Sequence, residues 1–91
     1  MKTTYLVSGN RKIIASEWGD KKNPMVVMLH GGGQTRHSWK GSASKIADLG
    51  FHVITYDLRG HGESFWDEDG NYTFNAHKDD LIKIIKQNDK I

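Results

Sequence analysis

Cysteine is absent from this 91-residue chain, which excludes a disulfide framework and any thiolate-bound metal, though it says little about compartment. No apolar run approaches the roughly 20 residues that cross a bilayer. The opening Met1-Lys2-Thr3-Thr4-Tyr5-Leu6-Val7-Ser8 lacks the continuous apolar stretch of a signal peptide, so a cytoplasmic protein is expected. An excess of one charge is missing too: 13 basic against 11 acidic residues give a formal charge of +2, with the signs interspersed. No concentrated field invites a nucleic acid or an anionic membrane, and neither is expected as a partner. What the chain does have is a 36% hydrophobic share with three each of Trp, Tyr and Phe, enough for a core and too much for a disordered tail. Its length allows one small domain, residues 1–91. Glycine stands out with ten residues, and seven of them fall from Gly31 to Gly62. Unusual backbone geometry is therefore concentrated there, and function is sought there.

Tyr5-Leu6-Val7 and Lys12–Trp18 are β-prone runs separated by Gly9-Asn10, a pair suited to a tight hairpin turn. After the polar breaker Gly19–Pro24, Met25–Leu29 is apolar without alternation, which predicts a central parallel strand covered on both faces. Trp39, Ala43, Ile46 and Ala47 fall on one face of a helix that Gly50 is placed to end. His52–Tyr56 predicts a second buried strand. Strand, helix, strand with short links is a βαβ unit, so the fold class is α/β, opened by an antiparallel hairpin. Past the acidic turn Trp66–Asn71, read as solvated, Thr73 is placed to cap a last helix with Phe74, Leu81, Ile84 and Ile85 on one stripe.

Two segments carry chemistry. His30-Gly31-Gly32-Gly33-Gln34-Thr35-Arg36-His37-Ser38-Trp39 lies between the first buried strand and its helix. Three glycines there let the backbone turn sharply and expose N–H groups able to hold a developing oxyanion or a phosphate. The spacing fits neither G-x-G-x-x-G nor a P-loop, so nucleotide binding loses its warrant. The second segment, Tyr56-Asp57-Leu58-Arg59-Gly60-His61-Gly62-Glu63-Ser64, follows the second buried strand and on its own reads as a hydrogen-bonded turn. The five histidines (His30, His37, His52, His61, His77) show no zinc-site spacing, so no metal is expected, and no cofactor is implied.

Together these segments resemble the α/β-hydrolase fold family, in the form found among epoxide-hydrolase-like and haloperoxidase-like members, over most of the chain from about Gly9. The first segment is similar to the family's His-Gly oxyanion loop, and Asp57–Ser64 to its D-x-R-G-x-G-x-S loop. Tyr72, Ala76, Asp80 and Leu81 are similar to the start of its next helix, with His77 a departure where relatives usually carry an apolar residue. The resemblance implies that the backbone N–H of Gly32 donates one of two oxyanion-hole hydrogen bonds. It places His30, Gly31, Gly33 and Gln34 along the substrate side of the cradle, with His30 holding the loop by hydrogen bonding rather than moving protons. Arg36, His37 and Trp39 either line the entrance or pack the following helix.

The nucleophile elbow of this fold is G-x-S-x-G. Gly62-Glu63-Ser64-Phe65-Trp66 fails at its last glycine, and Gly41–Lys45 fails as well, so the resemblance implies no nucleophile, acid or general-base histidine in this chain. The expectation is an N-terminal part of an incomplete α/β-hydrolase domain ending before the elbow, with Ile91 as the first residue of the next strand. Whether the piece arises by truncation or by gene splitting, it would act on a small-molecule ester, epoxide or similar bond only when the rest of the domain is supplied, a complementary C-terminal chain being one source. The second reading is a non-catalytic module that associates, with itself or with such a chain, through an exposed sheet edge. A third is a self-sufficient hydrolase built on Ser64 and a nearby histidine.

Overall fold

The computed structural model describes residues 1–8 and 11–88. The expected Gly9-Asn10 turn and the strand start at Ile91 lie outside the described residues. Four strands form one sheet in the order β1-β2-β4-β3: β1 (Lys2–Ser8), β2 (Arg11–Trp18), β3 (Met25–Leu29) and β4 (His52–Tyr56). β1 and β2 are an antiparallel hairpin pairing Lys2 with Glu17 through Ser8 with Arg11, which extends β1 three residues beyond its apolar run. β4 lies between β2, antiparallel, and β3, parallel from Met25↔His52 to Leu29↔Tyr56. A 3-10 turn (Arg36–Trp39) and helix α1 (Lys40–Asp48) link β3 to β4, and helix α2 (Phe74–Asn88) closes the described chain. Hairpin, βαβ unit and further helix are thus present as expected.

Strand alternation assigns the two faces. Ile13, Ala15, Ile54 and Tyr56 point to one face, where Ile84 of α2 completes a buried cluster flanked by Leu6, Met25, Val27 and Leu81. The other face carries Ser16, Val53 and Thr55, all buried, and receives the 3-10 turn and α1, whose Ala43 has no exposed surface. α1 ends as expected before Gly50, which takes φ +99°. α2 starts on a side-chain cap: Thr73 Oγ1 accepts the Ala76 N–H at 3.2 Å, satisfying one of the helix's free first-turn donors.

Among the described residues β3 pairs only with β4, its residues are half-buried and Leu29 is 42% exposed, the exposed sheet edge that the second reading expects. β4, with all five residues buried, holds the central position. One expectation is corrected: Phe74 leaves the apolar stripe and is 81% exposed, on the wall of an open cleft that also takes in Leu29 of β3.

One buried pair has no apolar logic. Glu17 on β2 and His52 on β4 lie on the α2 face with Nε2 2.7 Å from Oε1. Burial pushes the Glu17 carboxyl up, but the His52 hydrogen bond, with help from Thr4 and the Lys21 charge, outweighs it and holds the group below its ordinary value.

Ile84→Ala removes the one α2 side chain in the buried cluster and is expected to lower stability by about 2–5 kcal/mol, measured by denaturant unfolding. Phe74→Ala, at an exposed position, is expected to change it by about 0.5 kcal/mol or less.

Candidate functional site

The glycine loop leaves the C-terminal end of β3 and closes on itself. Gln34 N–H donates to the Gly31 carbonyl at 3.1 Å, and Gln34 Oε1 accepts the Gly31 N–H at 3.0 Å. The Gly33 N–H points to His61 Nε2 at 3.4 Å, and Gly33 takes φ +77°, a region open to glycine. Gly32 is exposed, and its N–H has no partner among the described residues. Of the three glycine amides, two are spent inside the protein and the middle one faces out. His30 is buried and bonded at both ring nitrogens, to the Gly31 carbonyl at 2.8 Å and to the Leu58 N–H at 3.0 Å. The side chains of His30 and Gln34 are therefore committed to the loop's own shape. His37 is exposed and Trp39 half-buried.

Behind the loop lies Asp57, the first residue after β4, with no exposed surface. One carboxylate oxygen accepts the Arg36 N–H at 2.7 Å; the other accepts the Glu63 N–H at 3.0 Å and the Arg36 guanidinium at 2.5 Å. Arg36 extends further to Ser16 Oγ at 3.0 Å and to Glu63 at 3.2 Å. It is only 5% exposed, so it ties the loops together and does not line an entrance. Burial pushes the Asp57 carboxyl up, but the two backbone N–H donors and the Arg36 charge outweigh it and hold the group below its ordinary value. Gly62 makes the cage possible: it takes φ +49°, and a Cβ there would lie 2.5 Å from the Asp57 carboxylate.

Arg59 repeats the device toward α2. Its Nε and NH2 donate to the two oxygens of Asp80 at 2.7 and 2.9 Å, a bidentate pair, and NH1 donates to the Asn71 carbonyl at 2.9 Å. Hydrogen bonding to Asp80 raises the Arg59 ionisation above its ordinary value. Asp67 corrects the solvated-turn expectation. Its side chain is 3% exposed, 3.4 Å from Arg59, and accepts the Asp69 N–H at 2.9 Å, while Glu68 and Asp69 do face solvent. The sequence reading missed the two ion-paired cages as cages; the alternation of Asp57, Arg59 and glycines was their signal.

Ser64 is a framework residue. It is 3% exposed, its Oγ donates to the Asp57 carbonyl at 2.6 Å and accepts the Ile14 N–H at 3.0 Å, so its hydroxyl is bonded on both sides and closed to a substrate. The third reading, a hydrolase built on Ser64, is overturned by this geometry.

Beside the exposed edge of β3 lies an apolar cleft of about 280 Å³ whose walls include Leu29, Tyr56, Leu58, Phe74, His77 and Leu81. The Tyr56 hydroxyl and His77 Nδ1 are buried there without a partner among the described residues. Burial raises the Tyr56 phenol and lowers the His77 imidazole, so both are held uncharged. His77, the departure from the family pattern, thus brings a polar atom to an apolar wall.

Asp57→Asn leaves the buried Arg36 guanidinium with only the exposed Glu63 carboxylate as counter-charge and is expected to cost about 3 kcal/mol in denaturant unfolding. Because folding lowers the Asp57 ionisation, the stability it contributes is complete above the unfolded carboxylate's value. It is lost as pH falls through the lower folded value, so the stability gap between the wild type and Asp57→Asn, whose stability lacks that slope, should narrow on acidification in denaturant unfolding followed against pH. Ser64→Ala orphans the Ile14 N–H and is expected to cost about 1–3 kcal/mol by the same measurement.

Comparison with known proteins agrees with this geometry. A family model described as alpha/beta hydrolase fold matches residues 24–90. An esterase of Mycobacterium tuberculosis is 40% identical over 75 residues, covering 82% of this chain and 24% of that protein. A non-heme chloroperoxidase of Kitasatospora aureofaciens is 32% identical over 76 residues, covering 81% of this chain and 26% of that one. The crystal structure of epoxide hydrolase A from Mycobacterium thermoresistibile superposes with a TM-score of 0.88 at 25% identity, over 96% of this chain and 28% of that one. The chain spans about a quarter of the length of the curated relatives it matches. With the hairpin, the βαβ unit, the glycine loop and the matching family model in register, the chain belongs to the α/β-hydrolase fold family.

Proposed function

We propose that this chain supplies the oxyanion-loop portion of an α/β hydrolase acting on a small-molecule ester, epoxide or similar bond. Turnover needs the rest of the domain, which carries the nucleophile elbow, the acid and the histidine, whether joined to this stretch or as a complementary chain. One observation carries the reading: the Gly32 N–H is exposed and unpaired while its neighbours on either side are tied back. Such an amide, held in place before the substrate arrives, stabilises a developing oxyanion without reorganisation. Gly31, Gly33, Gln34 and His30 shape the cradle around it. The second donor of the hole is the N–H after the nucleophile, from the rest of the domain.

The second reading, association through a sheet edge without catalysis, is favoured by the half-buried β3 and its exposed Leu29. An unpaired strand edge presents N–H and C=O groups to another chain, here either a complementary strand or a second copy.

The test combines the 91-residue chain with a second chain holding the remainder of a related esterase and follows hydrolysis of a p-nitrophenyl ester, with light scattering for assembly. The expected result is no turnover by either chain, turnover by the pair, and a loss of about 100- to 1,000-fold in kcat when Gly32→Pro deletes the N–H. Turnover by the 91-residue chain alone overturns the proposal. Assembly without turnover selects the second reading.

A further inference from the structure

Two imidazole rings meet where the glycine loop touches the loop after β4. His30 and His61 lie with centroids 4.9 Å apart and planes tilted by 56°. Each ring is bonded at both nitrogens. His30 places Nδ1 2.8 Å from the Gly31 carbonyl and Nε2 3.0 Å from the Leu58 N–H. His61 places Nδ1 3.1 Å from the Arg59 carbonyl and Nε2 3.4 Å from the Gly33 N–H. A carbonyl only accepts and an amide N–H only donates, so both tautomers follow from the partners: Nδ1 carries the hydrogen and Nε2 is bare. The pattern is reciprocal. Each histidine is anchored through Nδ1 to a carbonyl of its own loop and takes through Nε2 an N–H from the other.

We infer that His30 and His61 form a reciprocal clasp and are positioning residues that set the aim of the glycine loop. The clasp draws the Gly33 N–H inward and leaves the Gly32 N–H as the one outward donor; its meaning for chemistry rests on the cradle reading above. The Asp57–Arg36 cage holds the loop from behind, through the Arg36 N–H, and the clasp holds it in front, three residues earlier. His61 makes the longer bond and is the looser half.

The same geometry makes the clasp sensitive to protons. A proton added at either Nε2 turns an acceptor into a donor facing an N–H, and that link opens. Two imidazolium rings at this spacing also repel each other. The charged and titratable groups around the pair are Tyr56 and Asp57 at the end of β4, Arg59 in the loop of His61, and His77, Lys78 and Asp80 on α2. Asp57 and Asp80 are each paired with an arginine, and Glu63, two residues after His61, reaches Arg36.

The test is nuclear magnetic resonance on the 15N-labelled chain between pH 8 and pH 5, with long-range imidazole spectra for the tautomers and amide spectra for Gly33 and Leu58. At pH 8 both rings are expected to carry hydrogen at Nδ1 only. On acidification the Leu58 and Gly33 amides are expected to shift with their respective rings. His61→Gln keeps an acceptor near the Nε2 position that does not titrate, so the Gly33 shift should lose its pH dependence while Leu58 keeps its own. His61→Phe removes the acceptor, and Gly33 amide exchange should rise about three- to tenfold. An Nε2–H tautomer at either ring in the wild-type chain overturns the inference, as does a Gly33 amide equally protected in His61→Phe. The wild-type tautomers decide the matter even where a variant does not fold. Failure of the cradle reading shows elsewhere, as a Gly32→Pro pair that keeps its turnover, so the two can fail separately.

Discussion

A single buried carboxylate organises this molecule. Asp57 has no contact with water, and a charge in that position is tolerated only where donors surround it. The donors come from both directions along the chain: Arg36 from the segment before α1, with both its N–H and its guanidinium, and Glu63 from the loop after β4. The carboxylate therefore does not merely sit in the protein; the paths of two loops are bent around it. Gly62 is part of the same constraint, since any side chain there would occupy the carboxylate's space. The Ser64 hydroxyl extends the order to the edge of β2 by bridging the Asp57 carbonyl and the Ile14 N–H.

Around that centre the polar side chains that look most reactive in the sequence are occupied. Arg36, Asp57, Arg59, Asp80 and Ser64 are buried and bonded to one another or to backbone, and His30 is bonded at both nitrogens. Their work is to hold backbone in place. What they leave exposed is an amide of a residue with no side chain, and an amide held rigidly is worth more to a developing charge than one that must be ordered first. Arg59 carries the order across to α2 through its fork on Asp80, which ties the loop to the helix.

How much of this was legible in the sequence follows from how local each feature is. β4 matched residue for residue, because Val53, Ile54, Thr55 and Tyr56 in a row are β-branched or aromatic and describe a strand covered on both faces. The end of α1 at Gly50 and the Thr73 cap of α2 were legible for the same local reason, as was the concentration of glycines around the site. Pairing across the sheet was not. Lys2–Thr4 carry no strand signal of their own and are strand only because Glu17, Ser16 and Ala15 lie opposite. Met25–Leu29 has the composition of a central strand and an edge position, since composition records which neighbours a strand suits and not which it has. Glu17 and His52 stand 35 residues apart, and nothing in either segment announces the other. Within the site, the glycine loop was readable from its spacing, but the commitment of Arg36 to Asp57 was a choice between two roles that only three-dimensional proximity decides.

Among the described residues the partners that Asp57 and Arg59 find all lie between Ile14 and Asp80. Both ion-paired cages therefore close using this stretch of chain alone, and a division of such a domain downstream of α2 severs no salt bridge of the loop framework. For the design of split reporters in this fold, that means one half arrives with its loops already ordered. The exposed edge of β3 is then the place where a further strand can add, away from the loops.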